Sequence, residues 1–255
     1  MTDLPKPLTD HLDELRRRLF WILGTWAACF GIACFFNQQV FEILMHPAVA
    51  AALRKGRTLV ALAPAELFMS YIKAALLGGF LVALPMTLYQ IWAFISPGLY
   101  ASEKRMALPF VLSATALFFG GNLFGYLVAF PTMFDYFLSL EADYVTTQWS
   151  TESVFAFMAR LYLAFGLAFQ LPIAMFFVAS ARIVSIEQMA RARPYAVIAM
   201  FVAGAVLTPP DVVSQIMLSI PLVCLYELGL LAARISARRA EAETKAEAEQ
   251  SSALT

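Results

Sequence analysis

Charge is what this 255-residue chain has least of: Asp, Glu, Lys and Arg make up 14% of it, against roughly a quarter in an ordinary soluble domain. The 18 basic and 18 acidic residues cancel, so the chain offers no broad basic face to nucleic acid. Three cysteines exclude a disulfide scaffold. Cys29, Cys34 and Cys224 also lack metal-ligand spacing, and lying in apolar stretches they are expected to be small buried residues. The two histidines, His11 and His46, flank the first apolar stretch on opposite sides, so they share no metal site within one protomer. A Gly-x-x-x-x-Gly-Lys-Ser/Thr loop, a Gly-x-Ser-x-Gly elbow and a His-Glu-x-x-His helix are all missing. Nothing here suits enzyme chemistry, a cofactor or a metal, and none is expected.

What the chain has in excess is apolar. Hydrophobic residues make up 61%, Phe alone occurs 22 times, and the mean hydropathy of +0.72 makes a bilayer the natural solvent. A spanning helix needs about 20 mostly apolar residues to cross a hydrocarbon core of roughly 30 Å. Four long uncharged stretches meet or approach that length: Leu19 to Phe36, Ala74 to Phe94, Met106 to Met133 and Leu161 to Ala181. Two shorter ones follow, Tyr195 to Leu207 and Val212 to Tyr226. The reading is an all-α polytopic membrane protein of six transmembrane helices, with spans 5 and 6 short.

An even number of spans puts both termini on one side. Thirteen Lys and Arg fall on that side and three, Arg54, Lys55 and Arg57, on the other, with Lys73 and Arg160 near span ends where long stems snorkel. The positive-inside rule then makes both termini cytoplasmic. Residues 1–234 form one membrane domain. The tail at 235–255, rich in Ala, Glu, Lys and Ser, has no apolar face to bury and is expected to be disordered. The first extra-cytoplasmic connection holds an amphipathic stretch (VFEILMHPAVAAAL) suited to the membrane interface. Pro85, Pro172 and Pro221 each remove a backbone donor inside a span and are expected to kink it. Gly121 and Gly125 set up a close-packing face in span 3.

Few polar residues remain without a trivial placement. Gln170 sits beside Pro172 in span 4, Gln215 one turn past Asp211 in span 6, and Glu227 near the end of span 6. A polar residue at depth is costly unless it faces protein or a water-filled cavity. The bland alternative for Gln170 is an interhelical hydrogen bond worth about 1 kcal/mol. Before span 1, Asp13 faces Arg17 and Glu14 faces Arg18 at i,i+4 spacing, which by itself describes a self-neutralised helix. Glu103 opens span 3, where a helix N-terminus favours an acid.

The ordered set HLDELRRRL, FISPGLYASEK, FGLAFQLP and LTPPDVVSQ…IPLVCLYELG resembles TatC, the polytopic core of the twin-arginine protein translocase, from about Leu8 to Arg234. The resemblance implies a receptor for folded cargo bearing twin-arginine signal peptides. It also implies TatB-like and TatA-like single-span partners, assembly with them into an oligomer, and export driven by the proton-motive force across the bacterial cytoplasmic (inner) membrane. By position it implies that Glu14 and Glu103 read the two arginines, that Arg16 belongs to the same leader motif, and that Phe94, Pro97 and Leu99 support the site. Pro47 matches a proline of the first extra-cytoplasmic loop, and Gln170 stands where many members have Glu. The other reading of the composition is a secondary transporter of a small solute or ion, which needs titratable groups across the midplane.

Overall fold

The computed structural model describes residues 8–95, 107–140, 148–180, 183–208 and 211–253. Among them, helices account for the regular structure: α1 (Leu8–Phe35), α2 (Asn37–Arg54), α3 (Glu66–Ile95), α4 (Ala107–Phe124), α5 (Phe130–Ser139), α6 (Thr151–Ala168), α7 (Leu171–Ser180), α8 (Ile186–Arg191), α9 (Arg193–Leu207) and α10 (Val212–Ala253). Five helical stretches are long and apolar enough to cross a membrane: Leu12–Phe35, Glu66–Phe94, Leu108–Ser139, Thr151–Ser180 and Val212–Ile235. The apolar helix Arg193–Leu207 is shorter. At 1.5 Å per residue its 15 residues cover about 22 Å, less than the core thickness. Span 6, expected to be short, is not. Its helix runs past Glu227, a good helix former whose carboxylate pairs with Arg193 on α9, 2.8 Å away, and the apolar run continues to Ile235.

Large apolar side chains cover much of the outside, among them Phe20, Trp21, Val82, Leu112 and Leu167. In water that surface would be a liability, whereas against acyl chains it carries no such penalty. The cysteines follow the same logic: Cys29 and Cys34 are half-buried and Cys224 is exposed, where full burial was expected. The interior is built of Met45, Phe130, Met133, Phe134, Met158, Leu161 and Phe165, brought together by α2, α5 and α6. Phe130 meets Tyr162 edge-on, with ring centroids 4.9 Å apart.

Two features set how the long helices approach one another. A Cβ on Gly121 would stand 2.6 Å from the Phe169 ring and 2.7 Å from the Phe165 carbonyl, so this glycine lets α4 press on α6. The α4–α5 span also carries a π-helical turn at Gly125–Ala129, in which the Phe130 N–H bonds the Gly125 carbonyl. Pro131, in the next turn, has no N–H to return to the regular ladder. In the next span the helix is interrupted at Phe169–Gln170, just ahead of Pro172. Pro47, Pro85 and Pro221 lie inside helices that continue through them.

The amphipathic stretch of the first connection became α2, and its apolar face turned inward rather than toward lipid. Phe41, Leu44, Met45, Ala48, Ala51 and Ala52 are buried against α3 and α5, since two apolar protein faces were available to cover them. α10 continues as helix through residues 235–253, a segment rich in Ala and Glu, which are strong helix formers.

The connections next to α2 are fastened by one carboxylate. Glu66, 6% exposed at the start of α3, accepts from the Leu62 N–H (2.5 Å), the Ala63 N–H (3.3 Å), the Ser150 hydroxyl (2.6 Å) and the Glu152 N–H (2.7 Å). Beside it, Val60 and Ser150 form an isolated parallel bridge, with Val60 N–H to the Trp149 carbonyl and Thr151 N–H to the Val60 carbonyl, each 3.0 Å. Lys73 pairs with Glu152, and Arg54 with Asp135 at 2.9 Å. Replacing Glu66 by Ala strands several of these donors, each costing about 1–3 kcal/mol when buried and unpaired. E66A should therefore lower the thermal unfolding midpoint in detergent by several degrees, with Glu66→Gln retaining part of the loss. An unchanged midpoint for E66A would show that the clamp does not hold these connections.

Candidate functional site

The carboxylate of Glu14 stands at the start of α1, on the side of the helix that packs along α3. One turn on, Arg18 grips its Oε1 through Nε at 3.1 Å and Nη2 at 2.5 Å. The remaining Nη1 of Arg18 reaches across to Oε1 of Gln90 on α3, 3.3 Å away. Both charged side chains are 17% exposed and Gln90 is buried. The three residues therefore form a half-sheltered polar knot at the end of the α1–α3 pair. It exists because i,i+4 spacing stacks Glu14 and Arg18 on one face and α3 offers a polar side chain at the same level.

Phe94 lies one turn past Gln90 on α3 and is half-buried, close to the knot along the chain. Pro97, Leu99 and Glu103 lie outside the described residues. Arg16 is not brought to Glu14: two residues along a helix point to different sides. It is exposed, with its guanidinium carbon 5.7 Å from the Phe20 ring centroid, and it lines an open hollow of about 580 Å³ with Asp13, Arg17, Trp21 and Gly24.

The polar residues predicted inside the membrane are elsewhere: Glu227 pairs with Arg193, and Gln170, Gln215 and Asp211 each have one backbone partner, while the buried Oδ2 of Asp211 has none. Gln170, in the break between α6 and α7, donates its amide to the Ala114 carbonyl of α4 at 2.9 Å. Gln215 donates to the Phe201 carbonyl of α9 at 3.1 Å. Asp211 accepts from the Ser214 N–H at 2.7 Å and so caps α10. At the other end of the α9–α10 pair, Tyr226 donates to the Met189 carbonyl at 2.7 Å. There the Glu187 carboxyl on α8 is held below the ordinary carboxylate range, chiefly by its own backbone N–H and then by the Ser185 hydroxyl.

Sequence reasoning missed Gln90, whose role depends on which α3 residue lies level with Arg18. It also missed Glu66, whose partners come from two connections more than 80 positions apart. Proximity of Glu66 to a turn was the available signal, and it says nothing about Ser150. Among the described residues, no group of three or more His, Cys, Asp or Glu is placed to hold a metal ion.

The chain resembles known proteins throughout. The family pattern of the Sec-independent protein translocase protein (TatC) matches residues 10–221. A Sec-independent protein translocase protein TatC of Desulforapulum autotrophicum is 38% identical over 98% of this chain and 92% of its own length. That of Escherichia coli (strain K12) is 35% identical over 90% of this chain and 88% of its own. A crystal structure described as the twin-arginine translocase receptor TatC superposes with a TM-score of 0.79 at 36% identity, covering 89% of this chain and 99% of that one.

The α9–α10 contact yields a direct test. A Cβ on Gly204 would come 2.4 Å from the Ser219 hydroxyl oxygen, so α10 approaches α9 as closely as a glycine allows. Gly204→Ala should destabilise the protein by about 1–3 kcal/mol, read as a lowered unfolding midpoint, and the double variant with Ser219→Ala should recover part of it. A neutral G204A would mean the two helices are not held at this spacing.

Proposed function

The chain belongs to the TatC family of Sec-independent protein translocase proteins, a translocase component and not an enzyme, and from that premise we propose that it is the receptor that binds twin-arginine signal peptides and organises export of the folded proteins that carry them. The observation that carries this reading is the Glu14–Arg18 contact. A guanidinium fork already sits on the Glu14 carboxylate, the bond a signal arginine makes when it takes Arg18's place. Arginine suits the exchange better than lysine, because its planar donors meet a carboxylate two at a time. Glu103 receives the second arginine, and Phe94, Pro97 and Leu99 shape the loop that bounds the site, with Arg16 flanking it on the leader helix. Arg18, displaced, keeps the Gln90 amide oxygen as a hydrogen-bond acceptor.

In this proposal the chain crosses the bacterial inner membrane six times with both termini in the cytoplasm, the short α9 serving as the fifth span. Residues 1–234 form the membrane domain and 235–255 a polar appendage. Pro85, Pro172 and Pro221 bend their spans into a curved scaffold, and Pro47 fixes the inward turn of α2. TatB-like and TatA-like single-span proteins dock against the spans that carry Gln170, Asp211 and Gln215, giving an oligomer that works from the proton-motive force. The small-solute transporter reading has no support from the family to which the chain belongs.

Charge-assisted hydrogen bonds of this kind contribute about 1.5–3 kcal/mol each. Glu14→Gln and Glu103→Gln should therefore each weaken binding of a twin-arginine peptide roughly ten- to a hundredfold, measured by fluorescence anisotropy on the full chain in nanodiscs. Equal affinity in all three proteins would remove both carboxylates from the site. Topology has its own test. Single cysteines at positions 192 and 247 should be labelled by an impermeant maleimide from the cytoplasmic side, and one at position 55 from the opposite side. Labelling of all three from one side would contradict six spans.

A further inference from the structure

We propose that Arg160 binds the phosphate of an anionic phospholipid, in the leaflet on the side of the membrane where α2 lies. The inference needs the chain to be a membrane protein and is independent of signal-peptide binding.

Arg160 lies on the outer face of α6, exposed in line with Ser153, Leu163 and Leu167, of which Leu167 is 65% exposed. Its recorded contact is from its own Nε to the Ala156 carbonyl, one turn back, at 3.3 Å. No carboxylate pairs with it among the described residues. Of the other basic groups on this side, Lys73 is paired with Glu152 and Arg54 with Asp135. Arg160 is thus a guanidinium in an apolar surface, with Nη1 and Nη2 still to be satisfied, and inside a membrane such a charge requires a partner.

Depth decides what that partner is. The apolar stretch Thr151–Ser180 has 30 residues and is interrupted at Phe169–Gln170; with α6 and α7 taken as collinear it spans about 45 Å, against a core of roughly 30 Å. Sharing the excess equally puts the hydrocarbon boundary about 7 Å inside Thr151. The Arg160 Cα, nine residues along, is about 13 Å inside Thr151 and so about 6 Å below that boundary. An arginine stem spans this gap when it folds toward the helix N-terminus, and the Ala156 contact shows it folded that way. The guanidinium then arrives at the level of lipid phosphates, which its fork binds with two parallel hydrogen bonds. Leu163 and Leu167 lie below it along the same face, as acyl chains require. A carboxylate on another protein's span would have to sit at this rim rather than near the midplane, where the stem does not point.

The test uses the full chain, stripped of lipid in detergent and titrated with phosphatidylglycerol or phosphatidylcholine, with bound lipid counted by native mass spectrometry. Wild type should retain phosphatidylglycerol about tenfold more tightly than phosphatidylcholine. Arg160→Gln should weaken phosphatidylglycerol binding at least about tenfold and remove the preference. Arg160→Lys, which keeps the charge and a stem long enough to snorkel, should keep the preference at reduced affinity, and it serves as the comparison if R160Q folds poorly. Wild-type affinity in R160Q, or no preference between the two lipids in wild type, would overturn the proposal. So would a loss confined to capture of a carboxylate-bearing single-span protein, which would assign Arg160 to a protein partner.

Discussion

Within a bilayer no water is available to satisfy a polar group, and every donor or acceptor that enters must find its partner in the chain or in the lipid boundary. The long helices meet that condition for most of their backbone, and three side chains meet it across helices, although Ser70, Thr115 and Ser214 keep buried hydroxyl oxygens without a partner. Gln170 donates to Ala114, Gln215 to Phe201 and Trp26 to Leu76, each to a carbonyl on a neighbouring helix. These bonds are modest, about 1 kcal/mol apiece, but they fix which helices lie side by side. Glycine closes the spacing: Gly121 admits the Phe169 ring, and Gly204 brings Ser219 against α9.

The two ends of the bundle use carboxylates differently. Glu66 is held by three backbone N–H groups and a serine hydroxyl, donors that have no freedom to leave. Glu14 is held by a long, flexible arginine that has a second partner in Gln90. The first arrangement makes a clamp, and the second is the one we propose to be exchangeable. A receptor for arginine needs the second kind: a carboxylate kept charged and oriented in a half-sheltered place, with an occupant that can yield to an incoming guanidinium and still be satisfied. Arg160 shows the condition from the other side, a cation whose partner is supplied from outside the chain.

Much of this was legible in the residues. Uncharged runs located the long apolar helices because charge is expelled from hydrocarbon whatever the fold. The Glu14–Arg18 pair followed from helical spacing, and the Gln170 bond from the cost of an idle amide at depth. What was not legible depended on distant segments. The inward face of α2 required knowing that α3 and α5 pass beneath it. The Glu66 clamp required the connection at Ser150 to arrive beside Leu62. Span 6 was underestimated because Glu227 was counted as its end, when the apolar helix resumes beyond it to Ile235 and the carboxylate finds Arg193 on the preceding α9. The π turn at Gly125–Ala129 answers to Pro131, whose effect on the ladder is local yet has several possible outcomes.

In the proposed receptor, Glu14 exchanges an internal guanidinium for one in the signal peptide. A double-mutant cycle measures this most directly, combining wild-type or Glu14→Gln protein with peptides carrying Arg-Arg or Lys-Lys, by calorimetry in nanodiscs. A coupling energy of about 1.5–3 kcal/mol is expected, since the fork–carboxylate bond exists in one corner of the cycle. Additive losses, with coupling near zero, would show that the signal's arginines are read elsewhere.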